Sequence, residues 1–363
     1  MTGPTLTIRL KILMTYAAAA AAVLALGGAL SGCGPAGAAE TGVSTDTSIE
    51  MITGTQDSSF YLSMECGAAV EARKLGIDLT VAGPAQDTAA DQLPLVNGVI
   101  VGNPDALIIS PASGASPTQG SAGGDTGRSL SQALYVAQEN DTKVIFADTW
   151  VPDVNVGESR ITSDNAAGGK IAADNLGRMV GGKGSVALIT APDGGAPTAA
   201  RIAAFQREMA GRYPGVTVLP VQSDSTDSVA RAASLASADI SAHRNLAAVL
   251  SMTENTSQGA INALHQAHKT GAIKLATFDA SPFQMTGLTT GTIQLTVAQE
   301  PGVEGADAVD QAVNAIAYKK VAAHMTTPMI AITPQNMNRP GIKPYIYDGT
   351  CAASLRGYMT SGD

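Results

Sequence analysis

Ala106-Leu107-Ile108-Ile109-Ser110, stopped by Pro111, is an apolar run with no polar alternation. A strand with one face in water alternates, whereas a strand covered on both faces reads apolar throughout, as in a parallel sheet. Similar runs lie on either side of it, at residues 49–53 and 79–81 before and at 143–147, 186–190, 216–221, 247–252, 273–278 and 292–298 after. Longer amphipathic stretches separate them. These read as helices over 60–75, 88–101 (irregular at Pro94), 130–140, 197–212, 228–243 and 256–268, with another following Asn165. Strands alternating with helices predict an α/β chain of doubly wound parallel sheets. Nine or ten such units are too many for one comfortable sheet, so two lobes are expected. The polar stretch 153–165 shows no periodicity and reads as the break between them, and 113–127, rich in Gly and Ser, as an inserted loop or a poorly formed helix start.

Composition narrows the function. The 363 residues are 45% hydrophobic and 15% charged, with a net charge of −9 and no Lys/Arg cluster. Such a chain has ample material for cores but lacks the cations that nucleic-acid binding requires. At the N-terminus Arg9 and Lys11 precede an apolar run over 12–29, the pattern of an export signal. Leu30-Ser31-Gly32-Cys33 resembles the bacterial lipobox, in which the peptide is cut before a cysteine whose thiol is lipidated. An uncleaved membrane helix is the competing reading. Residues 34–47 then read as a flexible tether. With Cys33 as the lipidation site, Cys66 and Cys351 remain. In an oxidising compartment they form a disulfide or stay as two thiols, and the sequence leaves both open.

In doubly wound folds ligands bind at the carboxyl ends of the strands, so the polar residues there are the candidates for a site. Ser58, Phe60 and Tyr61 follow the first strand, and paired aromatics at a strand-to-helix turn suit the apolar C–H face of a sugar ring. Asp148 and Trp150, the one tryptophan, follow the strand at 143–147; Asp279 follows the strand ending at Phe278, and Gln299 the strand ending at Ala298. Carboxylates accept paired hydroxyl hydrogen bonds. For each Asp the alternative is a helix N-cap.

The segment from Ile49 to about Thr333 resembles the ribose- and galactose-type periplasmic binding proteins, the substrate receptors of bacterial sugar ABC importers. The similar segments are Gln56-Asp57-Ser58-Ser59-Phe60-Tyr61, Pro104-Asp105-Ala106-Leu107-Ile108-Ile109-Ser110-Pro111, Ser163-Asp164-Asn165-Ala166-Ala167-Gly168-Gly169-Lys170, Ser257-Gln258-Gly259-Ala260, Phe278-Asp279-Ala280-Ser281-Pro282 and Val297-Ala298-Gln299. The resemblance implies the type I fold of this class, two Rossmann-like lobes joined by three crossovers that close on ligand by hinge motion. It implies an N-terminal lobe of 48–162 plus 300–327, a C-terminal lobe of 163–299 plus 328–335, and a tail over 336–363. It also assigns ligand contacts to Phe60, Tyr61, Asp148, Arg201, Thr253 with Glu254 beside it, Asp279 and Gln299. The expected partners are a monosaccharide or polyol, an ABC permease and, through the lipid anchor, the membrane. A monomer without cofactor, metal, nucleic acid or catalysis is expected. Thr149 stands where ribose-type proteins carry Arg, and Ser58 where they carry Asn, which puts ribose itself in doubt. The tail from Pro334 exceeds the family's usual end, and Cys351 would pin it to the first helix through Cys66.

Other chemistry fits less well. Gly177 to Lys183 spells G-x-x-x-x-G-K, but Gly184 stands where a phosphate loop needs Ser or Thr. His265 and His268 have no further ligand at metal spacing. The lac-repressor family shares the fold but begins with a basic DNA-binding segment, and a secreted enzyme needs an acid/base pair that does not stand out. A receptor that presents ligand to a membrane sensor or chemoreceptor, or a binder of a non-sugar molecule, fits the same residues.

Overall fold

The computed structural model describes residues 47–112, 124–152, 155–191, 195–223 and 228–347, without the side chains of 124–128. The lipobox with Cys33, nearly all of the 34–47 tether and Cys351 fall outside the described residues.

The strands form two sheets. The first holds β1 (Ser48–Ile52), β2 (Asp78–Ala82), β3 (Ala106–Ile109), β4 (Lys143–Ala147), β5 (Ser159–Ser163) and β12 (Met325–Thr327), in the order β12-β5-β4-β3-β1-β2, all parallel. The second holds β6 (Gly184–Thr190), β7 (Val216–Val218), β8 (Gln222–Ser223), β9 (Leu246–Ser251), β10 (Lys274–Phe278), β11 (Leu295–Ala298) and β13 (Ile330–Ile332). Its order is β13-β11-β10-β9-β6-β7, with β8 beside β6 and β13 alone antiparallel.

Two-sided burial follows from the apolar runs. On β3, Ile108 joins one core with Met64 and Ala68 of α1 (Ser59–Leu75) and Val309 of α9 (Pro301–Ile316). Its neighbours Leu107 and Ile109 join another with Val96 of α2 (Ala89–Gly102) and Leu130 of α3 (Gly124–Glu139). The second sheet repeats this. Leu188 and Leu250 pack under α4 (Asn165–Met179) and α5 (Gly195–Arg212), while Ile189 and Val249 face α6 (Val229–Ala242) and α7 (Glu254–Gln266). Helix α8 (Pro282–Thr290) connects β10 to β11.

The chain passes between the sheets three times: from β5 into α4, from β11 into α9, and from β12 into β13. Helix α9 is locked to the first sheet by backbone contact with α1. A Cβ on Gly67 would lie 1.8 Å from the Gly302 carbonyl oxygen, and one on Gly305 2.0 Å from that of Met64, so glycine is required at both positions. The residues just before α9 are thereby anchored on one sheet although β11 belongs to the other.

Two expectations from the sequence need correction. The polar stretch 153–165 is not structureless, because it contains β5. Its hydroxyls are buried yet satisfied, Ser159 by the Ala322 carbonyl and Ser163 by Glu304, so a buried strand reads as polar. The helix expected over 130–140 begins earlier, at Gly124, inside the Gly-rich stretch read as an inserted loop or a poorly formed helix start, and the second of those readings holds there.

Candidate ligand-binding site

Strands β4 and β10 end in the same way. Asp148 and Asp279, the residues directly after them, adopt left-handed backbone with φ of 64° and 72°. Each donates its peptide N–H sideways, Asp148 to Ile161 of β5 at 2.8 Å and Asp279 to Val297 of β11 at 3.0 Å. Non-glycine residues rarely hold this conformation, Asp tolerates it better than most, and it concentrates at functional sites. Neither carboxylate caps a helix: α8 is capped by Ser281, and β4 runs through a loop into β5.

Around Asp279 a chain of hydrogen bonds crosses from element to element. Asn165, the first residue of α4, accepts from Arg201 Nε at 2.7 Å. Arg201, on α5, donates from Nη2 to Gln299 Oε1 at 2.6 Å, and its guanidinium lies 4.8 Å from the centre of the Phe278 ring. Gln299 Nε2 then donates to Asp279 Oδ1 at 2.7 Å. From the other sheet the Tyr61 hydroxyl donates to Asp148 Oδ2 at 3.0 Å, and Phe60 meets Tyr61 edge-on at 5.2 Å. Gly54 makes room for that phenol, since a Cβ there would lie 2.4 Å from the Tyr61 hydroxyl oxygen. Phe60, Tyr61, Arg201 and Gln299 are all buried. Burial pushes the Asp148 carboxyl up to about 6; the Arg201 charge and the Tyr61 hydroxyl pull it back, and Asp279 adds to the rise. Donors and acceptors held in a partly apolar setting are what a neutral polyhydroxyl ligand requires.

Six of the ten candidates therefore gather: Phe60, Tyr61, Asp148, Arg201, Asp279 and Gln299. The other four do not join them through any described hydrogen bond or ring contact. Trp150 faces Arg160, 5.9 Å from its ring, and lines a hollow of about 200 Å³ with Pro197, His324 and Asn165, the last of which also accepts from Arg201. Thr253 is the N-cap of α7 in a capping box with Thr256, and exposed Glu254 accepts from Ser281 at 2.7 Å. Ser58 precedes α1 as its N-cap residue, with no side-chain cap bond.

Asn165 and Tyr347 join the cluster without having been expected there. Asn165 was legible as a polar residue opening a helix after a crossover, and its amide also donates to Thr162 and Ser163. Tyr347 carried no signal beyond being aromatic in a chain with 4% aromatics.

A third unexpected residue, Glu304, lies behind the site. It sits on α9 and is 0% exposed, accepting from Ser163 at 2.5 Å and Thr327 at 2.9 Å. It thus touches the ends of β5 and β12 from the helix that follows β11, one residue joining all three passages between the sheets. Its Oε2 has no partner among the described residues. Burial pushes its carboxyl up to about 8; Asp148 adds to the rise, while Ser163, Thr327 and Arg201 oppose it. A raised acid favours the folded state below its unfolded value near 4.5, and that stability is lost as pH rises through about 8. Glu304→Gln, which keeps the acceptor without the ionisation, is expected to melt several degrees above the parent at pH 9 and to match it near pH 5. A constant gap across that range in thermal denaturation contradicts the assignment.

Among the described residues no cluster of three or more His, Cys, Asp or Glu is placed to hold a metal ion, and no helix is long and apolar enough to cross a membrane.

A family model described as a periplasmic binding protein domain matches residues 49–320. The chain belongs to the periplasmic binding proteins. The ribose import binding protein of Escherichia coli (strain K12) is 28% identical over 275 residues, 76% of this chain and 86% of that protein. The D-apiose import binding protein of Actinobacillus succinogenes is 26% identical over 280 residues, 76% and 84% of the two chains. A solved ABC transporter solute binding protein from Agrobacterium vitis, bound with alpha-D-tagatopyranose, is 29% identical with a TM-score of 0.75. The match covers 84% of this chain and 100% of that one. In this periplasmic binding protein the polar cluster is carried by the residues that follow strands of both sheets, Asp148, Asp279 and Gln299, together with Tyr61, Asn165 and Arg201 on helices.

Proposed function

We propose that this periplasmic binding protein is the extracytoplasmic substrate-binding component of an ABC importer and takes a monosaccharide or related polyol between its two sheets. The observation that carries this reading is the pair of left-handed aspartates, one at a strand end of each sheet, Asp279 joined to an Arg201–Gln299 chain of fixed donors and acceptors and Asp148 to the Tyr61 hydroxyl. Two carboxylates and a guanidinium fork satisfy vicinal hydroxyls, and the Phe60 and Tyr61 rings supply an apolar wall. Nothing in this arrangement calls for bond making; binding is reversible, and closure presents the loaded protein to a permease. The sheets act as lobes with boundaries at 48–162 plus 300–327 and 163–299 plus 328–335. Thr149, whose hydroxyl is committed to the Pro111 carbonyl at 2.8 Å, brings no donor fork, which favours a ligand other than ribose.

Cys33 is proposed as the lipid attachment site, holding a monomer at the outer face of the cell membrane. Cys66 is 2% exposed on α1 and disulfide-bonded, and Cys351 is proposed as its partner.

The test is a thermal-shift screen of the chain starting after Cys33 against pentoses, hexoses, polyols and amino acids. A ligand at one hundred times its dissociation constant adds about 2.7 kcal/mol of stability, and a raised melting temperature with one sugar or polyol is expected. A shift with amino acids alone, or with no compound for protein shown ligand-free by native mass spectrometry, refutes the sugar assignment.

A further inference from the structure

The segment after β13 returns to the site. It turns at Thr333, whose N–H donates to Asn336 Oδ1 at 2.7 Å, runs through a short 3-10 helix at Pro340–Tyr345 and reaches Tyr347. Apart from the 3-10 helix this stretch has no regular structure, and Ile342 and Tyr347 are its buried hydrophobic side chains. Tyr347 is 1% exposed and surrounded by the proposed ligand contacts. Its ring meets Phe60 edge-on at 5.8 Å, its hydroxyl donates to Asp279 Oδ1 at 3.3 Å, and it accepts from the Gln299 N–H at 3.1 Å. Its own N–H donates to the Ala280 carbonyl at 3.0 Å.

We propose that the C-terminal segment is a built-in competitor for the cleft, with Tyr347 filling the place of a sugar ring until ligand displaces it. This rests on the sugar-binding reading above. A phenol offers what a pyranose offers in miniature, an apolar ring for Phe60 and a hydroxyl for Asp279 and Gln299. Because it touches Phe60 from one sheet and Asp279, Ala280 and Gln299 from the other, it bridges them as a ligand would. The segment lies beyond residue 320, where the family match ends. Beyond the Tyr347 contacts it is held by Ile342, with Met337, Tyr345 and Ile346 packed beside it, and none of these belongs to a strand. With Cys351 bonded to Cys66 as proposed above, it would swing aside as a tethered loop and stay tied to α1. Apparent affinity is then the intrinsic affinity multiplied by the fraction of molecules with the segment out. If one molecule in ten is open, ligand binds about tenfold more weakly than the bare cleft allows, a handicap of about 1.4 kcal/mol.

The full chain after Cys33 is compared with Tyr347→Ala and Tyr347→Phe by calorimetry against D-ribose, D-tagatose, D-xylose and D-galactose. Hydrogen exchange of residues 278–281 and 340–347 is followed in parallel. Tyr347→Ala is expected to bind a sugar about tenfold more tightly than the parent. Tyr347→Phe, which keeps the ring and loses both hydroxyl contacts, is expected to fall between them. In the parent, saturating sugar should speed exchange at 340–347. Equal or weaker sugar binding by folded Tyr347→Ala overturns the proposal, and if the alanine variant does not fold, equal or weaker binding by Tyr347→Phe overturns it instead. If no sugar binds any variant, the sugar reading fails by itself, and ligand-free exchange then decides about the segment. Faster exchange at 278–281 in the folded Tyr347 variant supports a covering segment; unchanged exchange overturns it.

Discussion

Arg201→Met is expected to lower the melting temperature by roughly 10 °C and to abolish detectable sugar binding. Arg201 is 6% exposed and holds Asn165 and Gln299 from opposite sides, at 2.7 and 2.6 Å. A methionine of similar volume leaves both amide oxygens without those donors and removes the cation that opposes the upward push on Asp148 and Glu304. Breaking a buried charge network by deleting one partner costs about 3–5 kcal/mol, and for a folding unit of about 150 residues, the size of one proposed lobe, each kilocalorie moves the melting temperature by about 2–4 °C. Binding suffers separately, since Gln299 loses the contact that aims its amide at Asp279. Arg201→Lys separates the effects: it keeps the charge without the planar fork, so it should recover much of the stability and little of the affinity. Calorimetric melts and sugar titrations of both variants check this. A Met variant that binds as tightly as the parent removes Arg201 from the site.

For Asp279→Ala the expectation is reversed, with a small loss of stability and affinity reduced by at least about thirtyfold. That factor corresponds to the ~2 kcal/mol lost when ligand hydroxyls face no charged acceptor. Alanine accepts a φ of 72° less readily than aspartate, which accounts for the small loss of stability. Asp279→Asn tolerates the left-handed backbone as well as the parent does and isolates the charge, so an intermediate loss of affinity is expected. Tyr347 also loses a partner in the alanine variant. Weaker competition by the tail offsets part of the loss, and adding Tyr347→Ala to the alanine variant exposes the full factor. Unchanged titration of that double variant, compared with Tyr347→Ala alone, contradicts the role of Asp279.

The apolar runs were legible because two-sided burial leaves no room for polar residues. β3 illustrates this, with all four residues buried. β5 was not legible, because its buried hydroxyls find partners in Ala322 and Glu304, more than a hundred residues away in sequence. The site shows the same division. Asp148, Asp279 and Gln299 sit directly after strands, where local sequence announces them. Thr253 stands two residues after β9, and a Thr three residues later closes a capping box in which its hydroxyl caps the helix. Trp150 follows β4 as well, and its ring lies 5.9 Å from Arg160 on the neighbouring strand, a contact that composition does not reveal. Tyr347 depends wholly on where an irregular segment returns, and no periodic pattern encodes that.

The strand order has a practical consequence for instruments. All three passages leave from one margin of each sheet, at β5 and β12 in the first and β11 and β13 in the second, while β2 and β7 form the far margins. Strands are spaced about 4.8 Å apart, so β2 lies four strands, or ~19 Å, from β5. Each 10° of the proposed opening then carries β2 through ~3 Å by simple leverage. Fluorophores at the exposed positions Thr80 and Thr217, on the two far margins, would register sugar as a change in energy transfer. The same dyes at Thr326 and Ala331, beside the pivot, would stay nearly silent and serve as the internal reference of a sensor made from this protein.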